Sequence, residues 1–225
     1  MARNHTKTTN DEAHGLRNIS FCHAKILMQN IYEVLYSAEA IVLEGNKNFP
    51  EGWTTPIYFD VRHILSSPRN FDILTDLLSE KVREINPDKI AGAFTGGIPL
   101  ATAVSLKTNI PMIFVRKELP EKMKSQIEGY LKPGETVLLI DDITRSGKSK
   151  VGFIEGIKKA GGKITDSLVV VDYGAGGKEV LKKAGVTLTS LATVKDIVAH
   201  MKKSRKMTEA DYDALISKLK LNNKK

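Results

Sequence analysis

Two adjacent carboxylates, Asp141 and Asp142, follow the apolar run Val137-Leu138-Leu139-Ile140 and precede a short polar turn. The turn reads Ile143-Thr144-Arg145-Ser146-Gly147-Lys148-Ser149. A strand-to-helix turn of this kind can cradle a phosphate on its backbone N–H groups and on the helix N-terminus. Thr144, Ser146 and Ser149 add hydroxyl donors, and Arg145 and Lys148 add positive charge. The closing Gly147-Lys148-Ser149 spells the end of an ATP-binding P-loop, G-x-x-x-x-G-K-[ST]. Counted back, the first glycine of that motif falls on Asp142. A carboxylate there restricts the tight turn and repels a polyphosphate at short range. A ligand with one terminal phosphate and a diol fits better. The two carboxylates then accept hydrogen bonds from sugar hydroxyls, which are uncharged donors. The stretch describes a reader of ribose 5-phosphate, not an ATPase.

Such a turn needs a strand before it, a helix after it and a sheet to hold both. The spacing predicts a long amphipathic helix over 20–43, extended chain in TTPIYFDVRHIL, and a helix begun by Ser67-Pro68 and ended by Pro87. Apolar strands then alternate with helices: DKIAGAF, a helix over 98–107, IPMIFV, a charged loop over 116–129, ETVLLI, a helix over 149–160, ITDSLVVV, a helix over 176–184, and VTLTSLA. Continuously apolar strands separated by helices predict an α/β fold, a mostly parallel sheet covered on both faces. Ligands of such sheets bind beyond the C-terminal ends of the strands. The segments to watch are therefore FTGG, the loop after Arg116, DDITRSGKS and DYGAGG.

Of the 225 residues, 41% are hydrophobic, enough for one sizeable core. No apolar run is long enough to span a membrane, and the polar start MARNHTKTTNDEAHG does not read as a signal peptide. The single cysteine, Cys22, fits a reducing, cytoplasmic setting and reads as a helix residue, not a nucleophile. The net charge is +8, but residues 201–225 carry eight Lys/Arg against three acids. Most of the excess is thus one terminal segment, without the aromatic or metal-finger motifs of a nucleic-acid binder. The expected organisation is an arm over 1–19, a domain over 20–200 whose hood spans about 20–65, and a basic C-terminal helix over 201–225.

The stretch 137–149 resembles the signature of type I phosphoribosyltransferases, which bind phosphoribosyl pyrophosphate (PRPP). IAGAFTGGIPLATAVSLKTNIPMIFVRKE, EGWTTPIYFDVRHILSSP and YLKPGETVLLIDD are similar to the orotate phosphoribosyltransferase branch. The resemblance covers roughly residues 37–191. It implies the phosphoribosyltransferase fold with an N-terminal hood, a homodimer, and Mg²⁺ held mainly through PRPP and not by a protein metal site. It implies a reaction in which a nucleobase nitrogen displaces pyrophosphate from C1 of PRPP through an oxocarbenium-like transition state. Carried over, Thr95, Gly96 and Gly97 form the pyrophosphate loop. Arg116 and Lys117 are the cationic pair that meets pyrophosphate, partly across the dimer interface. Asp141 and Asp142 hold the ribose diol, Ile143 belongs to the PRPP-binding residues, and Thr144 through Ser149 hold the 5-phosphate. Tyr58 and Phe59 lie by the base, with Tyr173 at the position after the next strand. Lys117, Lys122 and Asp142 are the expected catalytic groups.

Three departures bear on function. The mobile loop R-K-x-x-K-x-H-G is here RKELPEKMKSQIEG, with Pro120, Lys122 and Met123 where lysine, histidine and glycine stand. Lys122 or Lys124 is left to supply the closing charge. The Val-Asp-Arg whose arginine pairs with orotate's carboxylate is here Val171-Asp172-Tyr173. Tyrosine cannot make that bidentate ion pair, which leaves Arg62 or Lys178 as replacement cations. Arg145 also stands where a small hydroxyl residue is usual. Orotate phosphoribosyltransferase is the expected activity. A phosphoribosyltransferase for another base and a non-catalytic PRPP-binding regulator are the alternatives.

Overall fold

The computed structural model describes residues 31–42, 47–48, 54–55, 57–119, 121 and 125–222. The expected arm over 1–19, Cys22, Pro120, Lys122, Met123 and Lys124 lie outside the described residues.

The hood contains helix α1 (Ile31–Ser37) and four two-residue strands: β1 (Ile41–Val42), β2 (Lys47–Asn48), β3 (Thr54–Thr55) and β4 (Tyr58–Phe59). Strand β1 pairs antiparallel with β4, and β2 with β3. The helix expected as far as residue 43 ends at Ser37. Glu39 takes a left-handed φ of 52°, and the chain turns back into β1. The stretch VRHIL is not extended as expected. Val61–Ser66 form a 3-10 helix that buries Val61 and Ile64. Helix α2 (Pro68–Ile85) follows Ser67, carries proline at its start, and ends where Asn86 adopts the left-handed conformation at φ 52°.

The main sheet holds β5 (Lys89–Ala93), β6 (Met112–Val115), β7 (Ile127–Glu128), β8 (Thr136–Thr144), β9 (Lys163–Asp172) and β10 (Thr187–Thr193). Their order is β10-β9-β8-β5-β6-β7, parallel throughout except for β7. Strand β7 lies within the stretch expected to be a plain charged loop. Only two residues long, it is fixed by pairing with Phe114 and Val115. Helices α3 (Gly97–Thr108), α4 (Lys148–Lys159), α5 (Gly177–Lys183), α6 (Val194–Lys203) and α7 (Glu209–Asn222) complete the chain. Helix α6 crosses position 200, the expected domain edge, and Met201 and Leu215 pack in the core.

The unbroken apolar strands feed two cores. In β8, Leu138 and Ile140 join the core beneath α2, α3, α6 and the hood, while Val137 and Leu139 join the core beneath α4 and α5. Alternate side chains leave opposite faces of a strand, so both faces must be apolar when both are covered. The loops after β5, β6, β8 and β9 consequently emerge at one edge, where the site forms.

Candidate active site

A cavity of about 490 Å³ opens at that edge. From β8 and its turn it is lined by Asp141, Asp142, Ile143, Arg145, Ser146, Gly147 and Ser149. Phe94, Thr95 and Gly96 come from the turn after β5, Lys117 from the segment after β6, Arg62 from the hood, and Phe153 from α4. Most of the residues expected from sequence therefore share one cleft.

Strand β8 runs through the acid pair and ends at Thr144, not before it. Its inward alternation buries Thr144, whose hydroxyl has no hydrogen-bond partner among the described residues. Thr144 does not line the cleft, and neither does exposed Lys148. The turn is made by Gly147, whose φ of 74° suits glycine, and α4 begins at the next residue. Gly147 and Ser149, at the start of that helix, line the cleft beside Ser146, so the positive end of α4 lies at its wall.

The two carboxylates are arranged differently. Asp141 is 8% exposed, and its Oδ2 receives a hydrogen bond of 2.8 Å from Lys150 Nζ. Its Oδ1 accepts the Asp142 N–H at 2.9 Å. Asp142 is half-buried, and its Oδ1 accepts the Ile143 N–H at 2.8 Å. Burial first, then the charge and hydrogen bond of Asp141, raise the Asp142 carboxyl to about 7, against the opposing pull of the Ile143 N–H and Lys150.

Close backbone approach builds the opposite wall. A Cβ on Gly97 would collide with the Ile140 carbonyl oxygen, and one on Gly96 would lie 2.6 Å from Asp142 Cγ. The absence of both side chains lets the turn after β5 sit against β8. The Phe94–Thr95 peptide is cis.

Of the expected cationic pair, Lys117 lines the cleft and Arg116 does not. Arg116 Nε donates to Glu128 Oε1 at 3.0 Å, and its guanidinium lies 5.3 Å from the Phe94 ring and 5.7 Å from the Phe114 ring. Gln126, which sequence reasoning missed, donates from Nε2 to the carbonyls of Arg116 and Lys117, both at 2.9 Å. It thereby fixes the backbone that presents Lys117.

The expected base-side aromatics lie outside the cleft lining. Phe59 and Tyr173 are 1% and 5% exposed and pack edge to face, with centroids 5.6 Å apart. Tyr173 Oη accepts the Phe59 N–H at 3.0 Å, and burial raises its pKa well above the usual phenol range. Tyr173, at the position where the resemblance leads to an expected arginine, thus joins the hood to the end of β9. Tyr58, half-buried, lies 3.4 Å through its hydroxyl from an Arg62 nitrogen.

The two cations expected as replacements, Arg62 and Lys178, lie in different places. Lys178 lines a separate groove with Lys182 and residues 185–188. Arg62 reaches the cleft from the 3-10 helix. Asp60 grips it through Nε at 2.8 Å and through a terminal nitrogen at 2.9 Å. The pair holds Asp60 below the usual carboxylate range and Arg62 above its own, first through these hydrogen bonds. Arg62 also borders a small crevice with Val61, Leu65, Phe71, Pro99 and Leu100, and Gly96 and Asp142 line both it and the cleft.

A strand–acid pair–turn–helix unit thus faces a glycine-built turn and a lysine across one cleft. A sequence model described as a phosphoribosyl transferase domain matches residues 60–203, and the chain belongs to that family. Its resemblances narrow the class. The chain is 35% identical over 162 residues to the orotate phosphoribosyltransferase of Pyrococcus furiosus, covering 71% of this chain and 89% of that one. Among solved structures, an orotate phosphoribosyltransferase from Aeropyrum pernix superposes with a TM-score of 0.68 at 29% identity, over 76% of this chain and 98% of the other. UMP synthase from Leishmania donovani gives a TM-score of 0.78 at 27% identity, over 85% of this chain and 42% of that longer one. Within the family, the chain falls in the orotate phosphoribosyltransferase branch.

Proposed function

We propose that the protein transfers the phosphoribosyl group of PRPP to orotate, giving orotidine 5-phosphate and pyrophosphate in pyrimidine synthesis. The observation that carries this reading is the meeting, in one cleft, of an acid pair for the ribose diol, a helix start for the 5-phosphate, and Thr95, Gly96 and Lys117 for the pyrophosphate.

In the reaction, the C1–O bond to pyrophosphate breaks and the leaving group takes the electron pair. The base nitrogen then bonds to C1 and gives up its proton to solvent. Positive charge grows on the sugar while negative charge grows on the departing phosphates. Asp142 lies on the sugar side, and Lys117 with the Thr95–Gly96 turn lies on the pyrophosphate side. The acidic side chains lining the cleft are Asp141 and Asp142, and Lys150 already engages Asp141. That donor set suits an Mg²⁺ that arrives on PRPP, where it would neutralise pyrophosphate charge. Arg116, turned away from this cleft beside Phe94, suits a role across a homodimer interface. A cytoplasmic setting goes with the single cysteine. No helix among the described residues is long and apolar enough to cross a membrane.

Arg62 takes the part of the missing arginine toward the orotate carboxylate. Arg62→Met should raise KM for orotate about tenfold or more, the scale of one lost charge-assisted hydrogen bond, while KM for PRPP stays within about twofold. Equal changes in both constants would place Arg62 elsewhere in the mechanism. The assay is pyrophosphate release with PRPP, Mg²⁺ and a panel of bases. Turnover with orotate supports the proposal. Turnover only with a base lacking a carboxylate would assign this cleft to another base, and PRPP binding without turnover would assign it to a regulator.

A further inference from the structure

Lys150 is a charged side chain in a place built for an apolar one. On α4 it shares a face with Phe153, Ile154 and Ile157, all buried, and it is itself 1% exposed. A buried lysine must be paired and hydrogen-bonded to persist. Its Nζ donates to Asp141 Oδ2 at 2.8 Å and to the Ile143 carbonyl oxygen at 2.6 Å. The helix that starts the phosphate subsite is thus clamped to the strand end that carries both acids.

We propose that Lys150 is a positioning residue of the sugar subsite, which holds Asp141 in place and through it sets the orientation and ionisation of Asp142. The chain of contacts is direct. Lys150 fixes Asp141 Oδ2, Asp141 Oδ1 takes the Asp142 N–H, and the clamped Ile143 gives its N–H to Asp142 Oδ1. The charged and titratable groups facing Asp142 are Asp141 on β8, Lys150 on α4, Arg62 on the 3-10 helix and Tyr173 after β9, with Arg145 and Lys117 lining the same cleft. Of these, Lys150 is the buried cation that touches the acid pair. It opposes the upward pull of burial and of Asp141 on the Asp142 carboxyl. Without it, Asp142 ionises at higher pH, and PRPP meets a protonated acid over a wider range.

The proposal rests on the reading that this cleft binds PRPP, so its test measures PRPP binding with Mg²⁺ by calorimetry from pH 5.5 to 9 and needs no base. A wild type that binds no PRPP overturns that reading and the proposal together. Lys150→Met should weaken PRPP about tenfold at pH 7 and move the acid limb of the binding profile up by about one unit. In the Asp141→Asn background the same substitution should change PRPP affinity less than about twofold, because the group it serves has lost its charge. A native-like pH profile in Lys150→Met, or an equal loss in both backgrounds, would overturn the proposal. Should Lys150→Met alone fail to fold, folding restored by adding Asp141→Asn supports it. Failure of both variants to fold would make Lys150 a structural clamp on Ile143 and overturn it.

Discussion

Asp142→Asn should lower kcat/KM for PRPP about 100-fold and, at pH 8, raise the melting temperature. The first effect follows from losing the carboxylate's charge-assisted hydrogen bonds to the ribose diol, each worth about 1.5–3 kcal/mol. The second follows from the raised carboxyl. A carboxyl titrates near 4 in the unfolded chain and at about 7 in the fold. Its contribution to stability is therefore fully present below about pH 4 and lost as pH rises through about 7. At pH 8 the native protein carries an ionised group that burial and Asp141 disfavour. Asparagine keeps an oxygen for the Ile143 N–H, brings an amide donor to Asp141, and has no charge to hold. The gain should be about 1–2 kcal/mol once the open cleft's water is allowed for, or about 2–8 °C for a domain of this size. Calorimetry at pH 5 and pH 8 checks it: the variant's advantage should be present at pH 8 and much reduced at pH 5. An advantage independent of pH would mean that Asp142 is not strained by its charge.

The two adjacent glycines of the turn after β5 should separate fold from site. Gly97→Ala forces a Cβ onto the Ile140 carbonyl oxygen, 3.1 Å from the carbonyl carbon and 3.2 Å from Ala93 Cβ. These are backbone and core atoms of β8 and β5, with nowhere to move. The cost should reach or exceed about 3 kcal/mol, the upper end for overpacking, and should appear as a lowered urea midpoint. Gly96→Ala meets the Asp142 carboxylate instead, a side chain able to rotate into the cleft. Its stability should fall by less than about 1.5 kcal/mol, while PRPP affinity falls at least about tenfold as the displaced carboxylate leaves the diol. Equal stability losses in the two variants would contradict the packing described for this wall.

Much of this site was legible in the sequence because its chemistry is local. Strand, acid pair, turn and helix follow one another within thirteen residues, and the five parallel strands announce themselves as apolar runs between helices. Tyr173 was legible as a departure but not as a contact, since its partner, the Phe59 N–H, lies 114 positions away. Strand β7 escaped because pairing with Phe114 and Val115, not propensity, makes two residues a strand. The 3-10 helix escaped because Val61 and Ile64, three apart as a 3-10 turn requires, are a single pair, too short a pattern to stand out beside the strand-forming residues before it. Lys150 escaped because lysine reads as solvated, although its place on the stripe with Phe153, Ile154 and Ile157 was a signal. Arg116 and Lys117, adjacent in sequence, part in space because Glu128 and two aromatic rings draw the arginine away from the cleft.

Identification of the product tests the central claim most directly. The protein is incubated with PRPP, Mg²⁺ and orotate, and the nucleotide is resolved by chromatography and mass. The wild type should yield orotidine 5-phosphate with equimolar pyrophosphate, and the double substitution Asp141→Asn with Asp142→Asn should yield neither while remaining folded. Wild-type rates in that double variant, or no orotidine 5-phosphate from a wild type that binds PRPP, would contradict the account.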